Sequence, residues 1–314
     1  MTNTQIAEQE IAEMMFDSNF HHLLQQMERR SSTISPVNER YVALLAMREH
    51  IIGFNYWSTF LDMMGSEIQR HCYAFRICVT DEENDDWLGK EYDGYLLLGN
   101  ISADKYRQIR DRRKPMVWVD GPEEHEDCSC VGVDNRSGAF QAAETAIRMG
   151  HRHLAFLQNQ PHRSYNERQE GFMSCVEAYR HFGVVHDTVN ATEDVRERIV
   201  SLLTSKDRPT YIQACSDNLL LHIYTIAEQL MLHIPKDLSL AGFDNIREGR
   251  LQTPALTTVD VPRIDIAVAA VELLIKHIQT PSTPNETILL KPELLLRGSL
   301  TAPPQTVSPG CAAP

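Results

Sequence analysis

The chain has 314 residues, 42% of them hydrophobic and 23% charged, which suits one large globular domain or two ordinary ones and excludes a disordered tail or a fibre. A formal net charge of -13 gives no general attraction to phosphate backbones or anionic membrane surfaces, so any nucleic-acid contact has to be local. The seven cysteines form no CxxC pair, and there is no long uncharged run and no basic-then-apolar N-terminus. Reduced thiols in the cytoplasm are expected, with Cys78 and Cys215 buried in apolar runs, and neither export nor a membrane span.

In chain order, Met1 to Gln26 predicts two short helical pieces, with Ile6, Ile11, Met14 and Met15 and then Phe20, Leu23, Leu24 and Met27 at helical spacing. Residues 28–40 are polar, aperiodic and interrupted by Pro36, which reads as a solvated linker. From Tyr41 the pattern alternates. YVALLAM, AFRICV, GYLLLG, PMVWVD, HLAFLQ, PTYIQACS and DLSLAGF have the apolar density of buried strands, and VGV before Asp134 is strand-like. The stretches between them read as helices: 54–71 with Trp57, Phe60, Leu61 and Met64 on one face, 103–112, 138–149, 166–182, 218–232 and 267–278. Asp134 and Asn135 stand near the start of the third of these and Gly150 just past its end, as capping requires. TPALTTVDVP reads as a loop.

Strand and helix alternating in this way point to βαβ crossovers and parallel sheets. More strands occur than one compact open sheet holds, so the expected fold class is α/β, two Rossmann-like lobes with a cleft between them. The expected limits are a helical segment and linker over 1–40, an N-lobe of 41–159 plus 261–288, a C-lobe of 160–260 plus 289–300, and a disordered tail over 301–314.

No enzymatic signature stands out: there is no GxSxG, HExxH or GxxxxGK[ST], and no GxGxxG opens a helix after a strand. An enzyme and a cofactor are therefore not expected. The acidic run at 81–86 lacks calcium-loop spacing and reads as a surface loop. His125, Cys128 and Cys130 have no second His/Cys cluster to complete a zinc site, so no metal is expected. His151 and His153 flank a helix-to-strand handover, where imidazoles settle a helix C-terminus.

Polar groups at the carboxyl ends of strands are the better candidates, because ligands of open α/β sheets bind there. Asp134, Asp217 and Asp244 each follow a strand, and Arg168 opens a helix after a loop. Carboxylates accept hydrogen bonds from hydroxyls and a guanidinium donates to oxygens, a combination suited to a polyol such as a sugar. Tyr56, Trp57 and Tyr165 lie near the loops concerned and offer aromatic faces. Taken singly, each aspartate also fits a cap or a turn, and Asn245 fits an Asx turn.

Six blocks in order, VGVDNRSGAFQAAETAIRMGHRHLAFL, NERQEGF, RPTYIQACSDN, IPKDLSLAGFDN, TPALTTVDVP and ELLLRGS, closely resemble the effector-binding region of the LacI/GalR transcriptional regulators. That region is similar to periplasmic sugar-binding proteins of type I, and the resemblance covers about Tyr41 to Ser299. It implies Asp134, Arg168 and Asp244 as sugar-hydroxyl ligands and Asp217 as a pocket or hinge support. Ser216 stands where many members carry Asn, which shortens one reach into the pocket. DGYLLLG and the VDG turn loosely resemble the evolved β-galactosidase repressor subgroup, which implies a galactoside.

Members of the family begin with a helix-turn-helix headpiece and a minor-groove hinge helix. Here QEIAEMMFDSN resembles only the end of a headpiece, with Asn19 at its exit, and FHHLLQQMERR stands at the hinge position, with Leu23 or Leu24 as the wedge. The resemblance implies a sugar-responsive repressor of a carbohydrate-use operon, a cytoplasmic homodimer acting on operator DNA. The alternative is a stand-alone cytosolic sugar-binding or heterodimerising protein without DNA binding.

Overall fold

The structure, a computed structural model, describes residues 40–48, 57–80, 89–121, 127–158, 162–190 and 195–304. The N-terminal helices, Asn19, Leu23, Leu24, Tyr56, the acidic run at 81–86 and His125 lie outside the described residues. The chain divides into two compact units, one ending at Gly132 and resuming over Arg263–Leu290, the other over Val133–Pro262 and from Lys291 on.

The first unit is organised around strand β1 (Tyr41–Ala46), whose Val42 to Ala46 are all buried. Such a strand is apolar on both faces because parallel sheets are covered on both sides. It pairs in parallel with β2 (Ala74–Val79) on one side and β3 (Gly94–Leu98) on the other. β4 (Met116–Val119), β5 (Ser129–Val133) and, late in the chain, β11 (Thr287–Leu290) complete the six-stranded order β11-β5-β4-β3-β1-β2. Helix α1 (Ser58–Arg70) buries Phe60, Leu61, Met64 and Ile68, a single helical stripe. Helix α2 (Ala103–Arg110) begins at Ser102, whose hydroxyl accepts from the Lys105 amide, and buries Tyr106 and Ile109. Tyr106 stacks on Trp118, and Cys128 and Cys130 pack into the same cluster as core residues. The long helix α8 (Arg263–Gln279) packs on α1, β3 and β4, and its His277 Nε2 meets Ser129 Oγ at 2.8 Å.

The second unit has its own six-stranded sheet, in the order β12-β10-β9-β8-β6-β7. β6 (His153–Gln158) runs parallel to β7 (Val185–Asn190) and β8 (Tyr211–Ala214). β9 (Ser239–Phe243) and β10 (Thr257–Asp260) extend the parallel run, and β12 (Glu293–Leu295) closes it antiparallel to β10. Helices α3 (Asn135–Arg148), α4 (Arg163–Ala178), α5 (Val195–Thr204), α6 (Asp217–Gln229) and the short α7 (Arg247–Arg250) connect the strands. This is the α/β class with mostly parallel sheets that the apolar runs predict.

The chain enters the second unit at Gly132–Val133, not near residue 159 as the lobe limits read from sequence place it. β6 is hydrogen-bonded into the second sheet and α3 packs on α4, so residues 133–158 belong there. The stretch TTVD, read as part of a loop, is the ordered strand β10, and HDTVN, to which the sequence reading gives no element, is the edge strand β7, followed by α5. Thr301, assigned to the disordered tail, is tied to the sheet. Its amide donates to Ser239 Oγ, and its carbonyl accepts from His151 Nε2 at 2.7 Å. His151 Nδ1 meets Thr210 Oγ1 at 2.8 Å, so this fully buried imidazole is a neutral sheet brace, its pKa lowered by burial. The helix C-terminus is settled instead by Arg152, which donates to the Ile147 carbonyl, while His153 pairs with Asp187.

Helices α3 and α4 pack at backbone distance. A Cβ on Gly171 would lie 2.2 Å from the Arg136 carbonyl oxygen, so the α4 backbone itself is the contact surface. Gly171→Ala is expected to destabilise the fold by about 1–3 kcal/mol through overpacking, read as a lower urea midpoint. An unchanged midpoint would show that the helices can separate without cost.

Candidate functional site

The polar cluster of the second unit forms where β8, β9 and β10 end. β9 ends at Phe243, and the next two residues, Asp244 (φ 100°) and Asn245 (φ 51°), are both left-handed. Outside glycine this backbone costs about 1–2 kcal/mol per residue and persists only where side chains hold it. The Asp244 amide still donates to the Val259 carbonyl, prolonging the ladder to β10. Its carboxylate meets Arg168 Nη1 at 3.0 Å, with side-chain exposures of 14% and 3%. That difference matters: the arginine is enclosed and the aspartate is the member of the pair that reaches the surface.

Arg168 is fixed from several directions. Its Nε donates to Asn135 Oδ1 at 2.8 Å, its Nη1 to the Cys215 carbonyl at 2.6 Å, and its guanidinium carbon lies 3.7 Å from the centroid of the Phe243 ring. Helix α4 begins at Arg163, three residues earlier than the sequence reading has it, so Arg168 sits in its second turn rather than opening it. The Tyr165 ring lies 5.7 Å from the same guanidinium. Burial, followed by the charge of Asp244, pushes the Tyr165 hydroxyl up to about 12, against a hydrogen bond with Ser216 that pulls it down. Ser216, buried at the N-cap of α6, therefore faces Tyr165.

Asp217, the first residue of α6, is fully buried. Its Oδ1 accepts from Thr258 Oγ1 at 2.7 Å and its Oδ2 from the Ile246 amide at 3.0 Å. Desolvation by burial, then the nearby Asp244 charge, pushes its pKa up to about 8 despite those two donors. The carboxyl presses on β9: a Cβ on residue 242 would lie 1.9 Å from Asp217 Oδ1, so only glycine fits there. Asp217 is thus a support beneath the strand ends.

The remaining candidates lie elsewhere or have local tasks. Asp134 is the N-cap of α3, its Oδ1 accepting from the Ser137 amide at 3.0 Å. It borders a groove of about 530 Å³ shared with Ser137, Gln141, Glu144 and Lys291. Trp57, in the first unit, stands at the N-cap position of α1 and tilts its ring on Phe60. The Asx-turn reading of Asn245 does not hold, because its side-chain bonds are long-range. Nδ2 donates to Asp260 Oδ1 at 2.9 Å, and Oδ1 accepts from Arg297 Nη2 at 2.6 Å.

Two residues escape sequence reasoning. Asn135 is buried between helices, its Nδ2 donating to Glu167 Oε2 at 2.8 Å while its Oδ1 receives Arg168. Glu167 is buried too and is paired with Arg163 and Arg136. The only sequence signal for Glu167 is its i,i+4 spacing from Arg163. Charge in the cluster balances: Arg168 faces Asp244, and Arg136 and Arg163 face Glu167 and Glu170. Among the described residues no group of three or more His, Cys, Asp or Glu side chains is placed to hold a metal ion. No helix among them is long and apolar enough to cross a membrane.

Comparison with known proteins fits this geometry. Residues 143–300 match the family described as periplasmic binding protein-like domain. The ribose operon repressor of Haemophilus influenzae is 30% identical over 218 residues, 67% of this chain and 65% of that protein, so the match spans less than two thirds of that relative's length. Catabolite control protein A of Priestia megaterium is 26% identical over 243 residues, 72% of this chain and 73% of that protein. The HTH-type transcriptional repressor PurR of Pectobacterium carotovorum is 26% identical over 256 residues, 76% and 75% of the two chains. Among solved structures, a LacI family transcriptional regulator from Enterococcus faecium with bound ribose superposes with a TM-score of 0.70 at 22% identity, covering 84% of this chain and 99% of that one. The transcriptional regulator CelR in complex with cellobiose gives 0.71 at 21%, covering 83% and 85%. The chain belongs to the periplasmic binding protein-like family, and its relatives there are LacI-type regulators.

Proposed function

We propose that this protein is a sugar-responsive transcriptional regulator, a repressor of a carbohydrate-use operon, whose effector binds at the carboxyl ends of β8 and β9. The observation that carries this reading is the Arg168–Asp244 pair, enclosed on the arginine side and open on the aspartate side, flanked by Tyr165 and Ser216. An ionised carboxylate held in place by a buried guanidinium accepts from two sugar hydroxyls without having to reorganise, and an aromatic face covers the apolar side of a pyranose or furanose. Asp134 and Trp57 are further ligand candidates in this reading. Operator DNA and a second copy of the chain are its partners, supported by relatives that are repressors. Catalysis has no part in it.

The charge balance also selects among sugars. Arg168, Arg136 and Arg163 already face carboxylates and Asp244 repels a phosphate, which favours a neutral sugar. The test is thermal stabilisation by D-ribose, cellobiose and D-galactosides, each beside a phosphorylated counterpart. A binding neutral sugar at a hundred times its Kd is expected to add about 2.7 kcal/mol, a shift of several degrees. A panel in which no sugar shifts the melting curve refutes the effector reading, and a phosphorylated sugar binding more tightly refutes the charge argument. The net charge of -13 favours the second reading, a sugar-binding protein without DNA contact. A mobility shift on operator DNA at low salt separates the two.

A further inference from the structure

Asn245 stands directly after the proposed effector carboxylate and touches β10, by which the chain leaves the second unit, and Arg297, just past β12, by which it re-enters. β10 ends at Asp260, two residues before the passage at Pro262–Arg263, and β12 starts at Glu293, two residues after the passage at Leu290–Lys291. Asp260 and Glu293 are register partners in the antiparallel pair. The Asn245 amide group holds Asp260 with its NH2 and Arg297 with its oxygen, and its backbone N–H donates to Thr258 Oγ1 at 3.2 Å. Arg297, just beyond β12, is itself anchored to β10: its Nη1 donates to the Leu256 carbonyl at 2.8 Å and its amide to Thr257 Oγ1 at 2.9 Å. An amide suits this position because it offers a donor to one neighbour and an acceptor to the other. A carboxylate here would face Asp260 with like charge.

We propose that Asn245 is a positioning residue that couples occupancy of the Asp244 site to the end of β10, beside the point where the chain leaves the second unit, and to the segment just beyond β12, the strand by which it returns. The inference rests on the effector reading above. The Asp244 carboxylate is held by Arg168 and its amide by the Val259 carbonyl, so a ligand seated on that carboxylate restrains the left-handed corner and Asn245 with it. The bonds to Asp260 and Arg297 carry that restraint to the end of β10 and to the segment just beyond β12, a contiguous route of hydrogen bonds and not mere proximity.

The test is hydrogen exchange of the full-length protein with and without D-ribose, cellobiose and D-galactose, read over residues 257–263 and 291–297. Wild-type protein is expected to gain protection in both segments when a sugar binds. Asn245→Gly keeps the left-handed corner accessible and removes the side chain. It is expected to bind the same sugar within about threefold of wild type and to lose the protection of both segments. Arg297→Lys keeps the charge and loses the fork, and is expected to lose protection over 291–297 while retaining it over 257–263. A purely structural role would lower stability and affinity together without separating binding from protection. Sugar binding to wild type with no change in either segment overturns the proposal while leaving the effector reading intact. So does retained protection in Asn245→Gly, or a loss of binding in that variant. If no probe sugar binds wild type, the effector reading fails and this inference with it.

Discussion

Arg168→Ala is expected to abolish sugar-dependent thermal stabilisation and to lower the stability of the ligand-free protein by about 3–5 kcal/mol, the cost of breaking a buried ion pair from one side. The side chain is 3% exposed and supports three neighbours at once: Asn135, the Cys215 carbonyl and Asp244. Its removal strands the Asp244 carboxylate and unties α4 from the end of β8. Asp244→Asn is gentler, since the amide still accepts a hydrogen bond from Arg168. It is nevertheless expected to weaken sugar binding by about 10-fold or more, the worth of charge-assisted hydrogen bonds to hydroxyls. In the double variant the stability loss should fall short of the sum of the single losses, because an uncharged residue 244 tolerates the absent arginine. Strict additivity of the two changes would falsify the pair as a functional unit.

Asp217 governs the second large effect, the dependence of stability on pH. Its folded pKa, about 8, lies far above that of an unfolded aspartate. A raised folded pKa means that the stabilising contribution is fully present below about pH 4 and is lost as pH rises through 8, at up to about 1.4 kcal/mol per pH unit. The buried His151 and His277 act in the opposite sense, because burial lowers their pKa values and their contribution is lost as pH falls below the usual imidazole range. Subtracting the curve of Asp217→Asn from that of wild type cancels the histidines. The difference in urea midpoint should fall steadily from pH 5 to pH 8, with the asparagine variant the more stable at the alkaline end. Its amide can accept from Ile246 N–H and donate to Thr258 Oγ1, which keeps both contacts now made by the carboxyl. Parallel curves for the two proteins would rule out a buried protonated carboxyl at this position.

Much of the fold was legible because parallel strands are apolar on both faces. YVALL, GYLLL, SLAGF and HLAFLQ stand out as short dense runs, and the structure makes each a buried strand. The missed elements include the edge strand β7 and β10, which lies inside its sheet between β9 and β12. β7 has one exposed side and carries His186, Asp187 and Asn190, and β10 is rich in Thr, so neither presents an apolar run. Strand identity was also easier to read than strand membership. Nothing in HLAFLQ says which sheet it joins, and the passage between units was accordingly placed 27 residues late, at 159 instead of 132.

The sequence by itself determined the α/β class, the strands that form the two sheet interiors apart from β10, the absence of a catalytic motif, and the order of blocks that identifies the family. It also marked Asp134, Arg168, Asp217 and Asp244 as polar residues near strand ends. Their separate tasks were decided only by the tertiary structure, because burial and pairing are relations between distant residues. Asp134 became a helix cap, Asp217 a buried and largely protonated support, and Arg168 and Asp244 a pair 76 positions apart in sequence and 3.0 Å apart in space. Asn135 and Glu167 have as local patterns only a capping position and an i,i+4 spacing from Arg163, which distinguish neither from a surface residue, and Arg297 has none. They acquire meaning when α3 meets α4 at Gly171 and when β12 folds back on β10, contacts that close only once both sheet and helices are packed.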